Sequence, residues 1–197
     1  MGLDITVVIA DRSWLARVPP RERLPRLRNA WHTWYADAPA GDEGWAWPQG
    51  RDSSVFAVYE FPDTLGSFKP HFWARHRWER VRDHVAPSLR TELDALLSAL
   101  VWDGPDGEAE HTDTGFFGEG GRGVLLARSP ESVRELAAAW DRARPHLDEL
   151  HGPFAEHAAV PDGWISDFDA FADLLTQWGD VLTEAARRGW CVVGLSE

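Results

Sequence analysis

The densest run of groups able to do chemistry lies between residues 103 and 119, where Asp103, Asp106, Glu108, Glu110, His111, Asp113 and Glu119 crowd together. Oxygen ligands with one imidazole suit a divalent cation if such a segment folds back on itself. Asp106, Glu108, Glu110 and His111 are the candidate ligands. Their spacing matches neither the calcium-loop pattern nor a compact zinc pattern, so no metal or other cofactor is predicted. A solvated acidic loop accounts for the same residues. A histidine within reach of a carboxylate could act as general acid or base, and His71, His111 and Asp113 are the catalytic candidates. His71, His76 and His84 share residues 67–85, but on an ideal helix His76 lies about 140° round from His71, and His84 roughly 80° beyond His76. They cannot converge on one ion from that helix, and hydrogen-bonded or half-exposed histidines are the plainer reading. No serine sits in a Gly-x-Ser-x-Gly elbow, and the glycines at 118–123 lack the Lys-Ser/Thr of a phosphate loop.

Aromatic chemistry is the second candidate, because the chain holds 12 tryptophans. Trp45 and Trp47 fall in a turn-rich stretch, 37–53, where helix or strand packing does not obviously require them. With Phe72 and Trp73 they form the predicted ligand-binding set, an aromatic-lined groove near 45–47 and 68–78. The alternative is a lid in which both loop tryptophans fold down over the core.

Composition limits the partners. The net charge is −12, and all of it falls in residues 101–197, since residues 1–100 hold 13 basic and 13 acidic side chains. Such a balance argues against wrapping a phosphate backbone. Arg17, Arg21, Arg23, Arg26 and Arg28 make the best local basic face, and a solvated helix side explains them; nucleic-acid binding is not predicted. Cys191 is the only cysteine, which excludes an intrachain disulfide, and its apolar setting reads as structural. No signal peptide and no membrane span are recognisable, so a cytoplasmic setting is expected.

The elements that must position these groups follow from periodicity. Residues 3–10 read as a buried strand, and 54–61 as another, stopped by Pro62. Residues 19–35 place Leu24, Leu27, Trp31 and Trp34 on a helical stripe that Pro25 weakens or splits. Helices are predicted over 67–85 and 88–101, then a short strand over 123–127. Ser129-Pro130 is a strong helix start. A looser helical stretch follows near 146–159. A long helix capped by Ser166 or Asp167 closes at Gly189 before a last strand, 190–195. This is an α+β protein, a single domain over 1–197, with one small mixed sheet of four or five strands and five or six helices packed on it. A long acidic, Gly-rich loop occupies 103–121 and can hardly build a core.

The order of strand, RSPESVRELAAAW, a turn-rich helical stretch through PDGW, and FADLLTQWGDVLTEAARRGWCVVGL over residues 128–195 resembles the C-terminal half of the YfbM-like family, a bacterial group of unknown function. The Met1-Gly2-Leu3 start is similar to that family too. The region PQGRDSSVFAVYEFPDTLGSFKPHFW looks foreign to it, and the resemblance carries over no catalytic or binding residue.

Two functional readings follow. One is a binding or interaction module for a small molecule or protein, using the aromatic groove. The other is a hydrolase-like enzyme using His71 or His111 with loop carboxylates, with or without a metal. A homodimer built on the tryptophans is a third arrangement, and it predicts a contiguous exposed apolar patch.

Overall fold

In the computed structural model, the residues described are 3–35, 44–100, 114–118 and 123–196. At its centre runs β1 (Ile5–Ala10), whose sequence ITVVIA has no polar side chain except Thr6. A strand can be apolar on both faces only where both are covered, and here both are. Ile5, Val7 and Ile9 point into one hydrophobic cluster, Val8 and Ala10 into another. β1 lies between β3 (Phe56–Tyr59) and β5 (Cys191–Ser196), with Val8 opposite Val58 on one side and Val193 on the other. The short β2 (Trp45–Ala46) and β4 (Val124–Arg128) complete the order β2-β3-β1-β5-β4. The sheet expected as small and mixed is antiparallel at each of these four pairings.

Helices cover the sheet on both sides, giving three layers. On one face lie the five-residue α1 (Arg12–Ala16), which the sequence pattern did not suggest, and α2 (Pro20–Tyr35). α2 runs unbroken through Pro25, so the split expected there does not occur. Pro25 is exposed, while Leu24, Leu27 and Trp31 are buried against the sheet, and that burial offsets the one missing hydrogen bond. A 3-10 turn, Thr114–Phe117, packs on the same face and buries Phe117. The expectation that 103–121 builds no core therefore fails at Phe117. Phe116 lies between the guanidinium groups of Arg12 and Arg23, at 4.3 and 4.1 Å, and Arg23 also donates to the Phe116 carbonyl at 2.7 Å. Arg26 lies over Trp14 at 4.8 Å. Part of the arginine face read as solvated is thus spent inside the protein, while Arg17 and Arg21 are exposed.

The opposite face carries α3 (Lys69–Val81), α4 (Pro87–Leu100), α5 (Pro130–Ala143), α6 (His151–His157) and α7 (Phe168–Arg188), over the larger of the two clusters. Their starts are encoded locally. The Ser129 hydroxyl accepts from the Ser132 N–H at 3.3 Å, ahead of Pro130 at the first helical position, and Asp167 accepts from the Ala170 N–H at 2.9 Å. Gly189, at φ 67°, closes α7 in the left-handed region and turns the chain into β5. Cys191 is buried there, its thiol donating to the Ala10 carbonyl at 3.2 Å, and burial pushes that thiol up to about 12. Among the described residues no helix is long and apolar enough to cross a membrane.

A knot of charge ties the end of α7 to the β2 region. Glu184 is buried and accepts from Arg51, Arg187 and Arg188, at 3.3, 2.7 and 2.6 Å. Burial raises the pKa of its carboxyl, but the hydrogen bonds and charges of these arginines outweigh it and hold the group at about 2. Glu184→Gln is expected to cost about 2 kcal/mol at pH 7, because it leaves the nearly buried Arg188 without its counter-charge. Urea unfolding measures it. A cost no larger than that of an exposed Glu→Gln change would refute a structural role for the knot.

Candidate binding cleft

His71 sits on the first turn of α3, fully buried, and is not at a surface. Its Nδ1 accepts from the Trp178 indole N–H at 3.1 Å, so the ring proton is on Nε2. That atom has no hydrogen-bond partner among the described residues. The ring packs against Phe61 and Phe68, with centroids 4.8 and 5.9 Å away, and burial lowers its pKa to about 3. A base that stays neutral inside a shell of rings is placed for packing. Among the described residues, no group of three or more His, Cys, Asp or Glu side chains could hold a metal ion. The loop candidates Asp106, Glu108, Glu110, His111 and Asp113 lie outside the described residues.

Trp45 is buried in β2 and stacks on Trp47 at 5.2 Å, with Tyr59 edge-on at 4.9 Å. Trp47 is half-buried, and the Arg188 guanidinium lies 4.3 Å from its ring. The two tryptophans expected on a loop therefore fold down on the sheet end. Phe72 and Trp73 belong to another cluster on α3, where Phe72 meets His76 at 4.3 Å and Arg77 lies 5.1 Å from the Trp73 ring. Trp73 is 37% exposed.

A cleft lies elsewhere, at the end of the sheet where β1 begins and β3 ends. Its volume is about 690 Å³, within the roughly 300–1,000 Å³ typical of small-ligand sites. Trp31 and His32 from the last turn of α2, Thr6 from β1, and Tyr59, Glu60 and Phe61 from the end of β3 form its walls. None of Trp45, Trp47, Phe72 and Trp73 is among the residues that line it. Gly44 allows β2 to close against this end. At φ 83°, its N–H and C=O lie so near β3 that a Cβ would come within 2.8 Å of the Glu60 carbonyl, and its own carbonyl accepts from the Glu60 N–H at 2.8 Å.

The rim is the loop Pro62–Gly66. Asp63 at φ 62° and Leu65 at φ 53° both hold left-handed backbone, a conformation that costs a residue with a Cβ roughly 1–2 kcal/mol. Hydrogen bonds hold the loop in it: Thr64 donates its hydroxyl to the Phe61 carbonyl at 3.0 Å, and the Ile5 N–H donates to the Gly66 carbonyl at 2.8 Å. The result is a leucine that is 92% exposed at the lip of the cleft. Strain retained around such a group is a pointer to use. Asp4, Glu60 and Asp63 are exposed carboxylates lining the cleft, and no arginine or lysine is among its described lining residues. A second hollow of about 350 Å³ between α3 and α4 has a different character. Its Asp94 already accepts from Trp78 at 2.8 Å and from Arg82 at 3.0 Å.

Sequence reasoning passed over Asp4, Thr6, His32, Glu60, Asp63 and Leu65. The one available signal was Leu65 itself, an apolar residue between turn formers in Pro62-Asp63-Thr64-Leu65-Gly66. Comparison with protein-family models, curated proteins and solved structures returns no match.

Proposed function

We propose that the protein is a binding or interaction module whose ligand enters the cleft between the end of α2 and the Pro62–Gly66 loop. The observation that carries this reading is Leu65, held in water by left-handed backbone on the lip of this cleft. The aromatic groove first expected near 45–47 and 68–78 moves, in this reading, to walls made by Trp31, Tyr59 and Phe61. A hydrolase using His71 has little support, since that ring is buried and no carboxylate among the described residues hydrogen-bonds to it. A cytoplasmic setting and kinship with the YfbM-like family remain part of the proposal. The capped α5 after β4, and α7 leading through Gly189 into β5, are what support the kinship.

The test is a fragment screen on isotopically labelled protein, read by amide chemical shifts. Hits should move the amides of Ile5, Thr6 and residues 58–66, and His32→Trp, which fills the cleft from an exposed position, should abolish those shifts. Hits that map elsewhere, or shifts that survive His32→Trp, would count against the cleft.

A further inference from the structure

We infer that the cleft docks a basic, partly apolar segment of a protein partner, with an arginine or lysine side chain entering among its carboxylates and an apolar neighbour covering Leu65. The inference rests on the cleft being the binding site proposed above, and adds the chemistry of its occupant.

Charge is the first argument. Several carboxylates of this protein are ion-paired to arginine, Asp94 to Arg82, Glu92 to Arg142 and Glu184 to Arg188, whereas a number of exposed ones are not. Asp4, Glu60 and Asp63 converge on the cleft without an ion pair among the described residues, and no arginine or lysine lines it there. Uncompensated carboxylates beside a concave surface focus an attractive field for cations. The net charge of −12 would favour encounter with a basic partner at low salt.

Leu65 decides between a free small cation and a protein. A molecule inside the cleft leaves a side chain on the lip in water, whereas a polypeptide lying across the lip removes it from water. Burying a leucine side chain contributes on the order of 1.5–3 kcal/mol, enough to matter for a weak docking contact. The left-handed backbone at Leu65 then has a purpose, because it keeps the side chain from folding back on its own domain.

The experiment titrates labelled protein with acetyl-Leu-Arg-Leu-amide and with its citrulline analogue, which keeps the shape and loses the charge. Two variants accompany them, Asp63→Asn and Leu65→Asn. Asparagine tolerates left-handed backbone, so both variants are expected to fold at least as well as the parent. The arginine peptide should shift the amides of Ile5, Thr6 and residues 58–66, and raising the salt should weaken it. The citrulline peptide and each variant should lower the affinity at least about fivefold. Equal binding of the citrulline peptide would overturn the basic partner and leave the cleft reading standing. Shifts from fragments but not from the arginine peptide would likewise overturn the inference alone. If neither fragments nor peptides reach these amides, both fall.

Discussion

Acidifying the protein from pH 6.5 towards 3 is expected to remove about 1.4 kcal/mol of stability per pH unit through His71 alone. Burial lowers this histidine to about 3 in the folded protein, whereas in the unfolded chain it takes up a proton near 6.5. Above 6.5 the ring is neutral in both states and its contribution to stability is fully present. Between 6.5 and 3 the unfolded chain binds a proton that the folded chain refuses, so stability falls with pH; below 3 both states are protonated and the loss ends. The total, roughly 4–5 kcal/mol, is a large share of the 5–15 kcal/mol that typically holds a domain together. His71→Gln tests the cause, because its side-chain oxygen can still accept the Trp178 indole N–H. Urea midpoints at pH 6.5, 5.8 and 5.0 should decline in the parent and decline less in the variant. That window matters, since Glu184 and Asp94, both lowered, contribute stability that is lost only at lower pH. Parallel slopes in the two proteins would mean that His71 takes up its proton in the folded state.

Gly179→Ala is expected to destabilise by about 3 kcal/mol, although alanine is the better helix former by about 1 kcal/mol. Gly179 lies in the middle of α7, where α5 crosses it, and a Cβ there would stand 2.1 Å from the Cε2 and Nε1 atoms of Trp140. The indole is buried among the core side chains, so it cannot swing into solvent to make room. Overpacking of this kind forces off-rotamer side chains or separates the helices. Adding Trp140→Leu should make the alanine far less harmful, so the pair should be strongly non-additive in urea unfolding. A neutral or stabilising Gly179→Ala would show that α5 and α7 do not approach this closely.

Local chemistry made much of the fold legible. The β-branched run of β1, Ser129-Pro130 before α5, Asp167 before α7 and Gly189 after it are each decided within a few residues, by propensity and by the orphan groups of helix ends. The same local logic misjudged Pro25 and Phe117. In both cases burial against the sheet, contributed by residues distant in sequence, outweighed the local preference. For Trp45 and Trp47 the sequence left open a groove or a lid folded down over the core, and the second is what forms, because their partners, Tyr59, Arg188 and Trp190, are brought to them only by the sheet.

The sequence by itself determined the α+β class, the places where most of the helices and strands begin and end, and the chemical inventory. Only the tertiary structure decided which parts of that inventory meet. Asp4 and Thr6 reach the cleft because β1 pairs with β3, and His32 because α2 packs its buried stripe on the sheet. Leu65 stands at its lip because the Ile5 N–H holds the Gly66 carbonyl. No spacing rule links residues 4, 32 and 65, since their proximity is set by strand pairing and layer packing, which act through space and not along the chain.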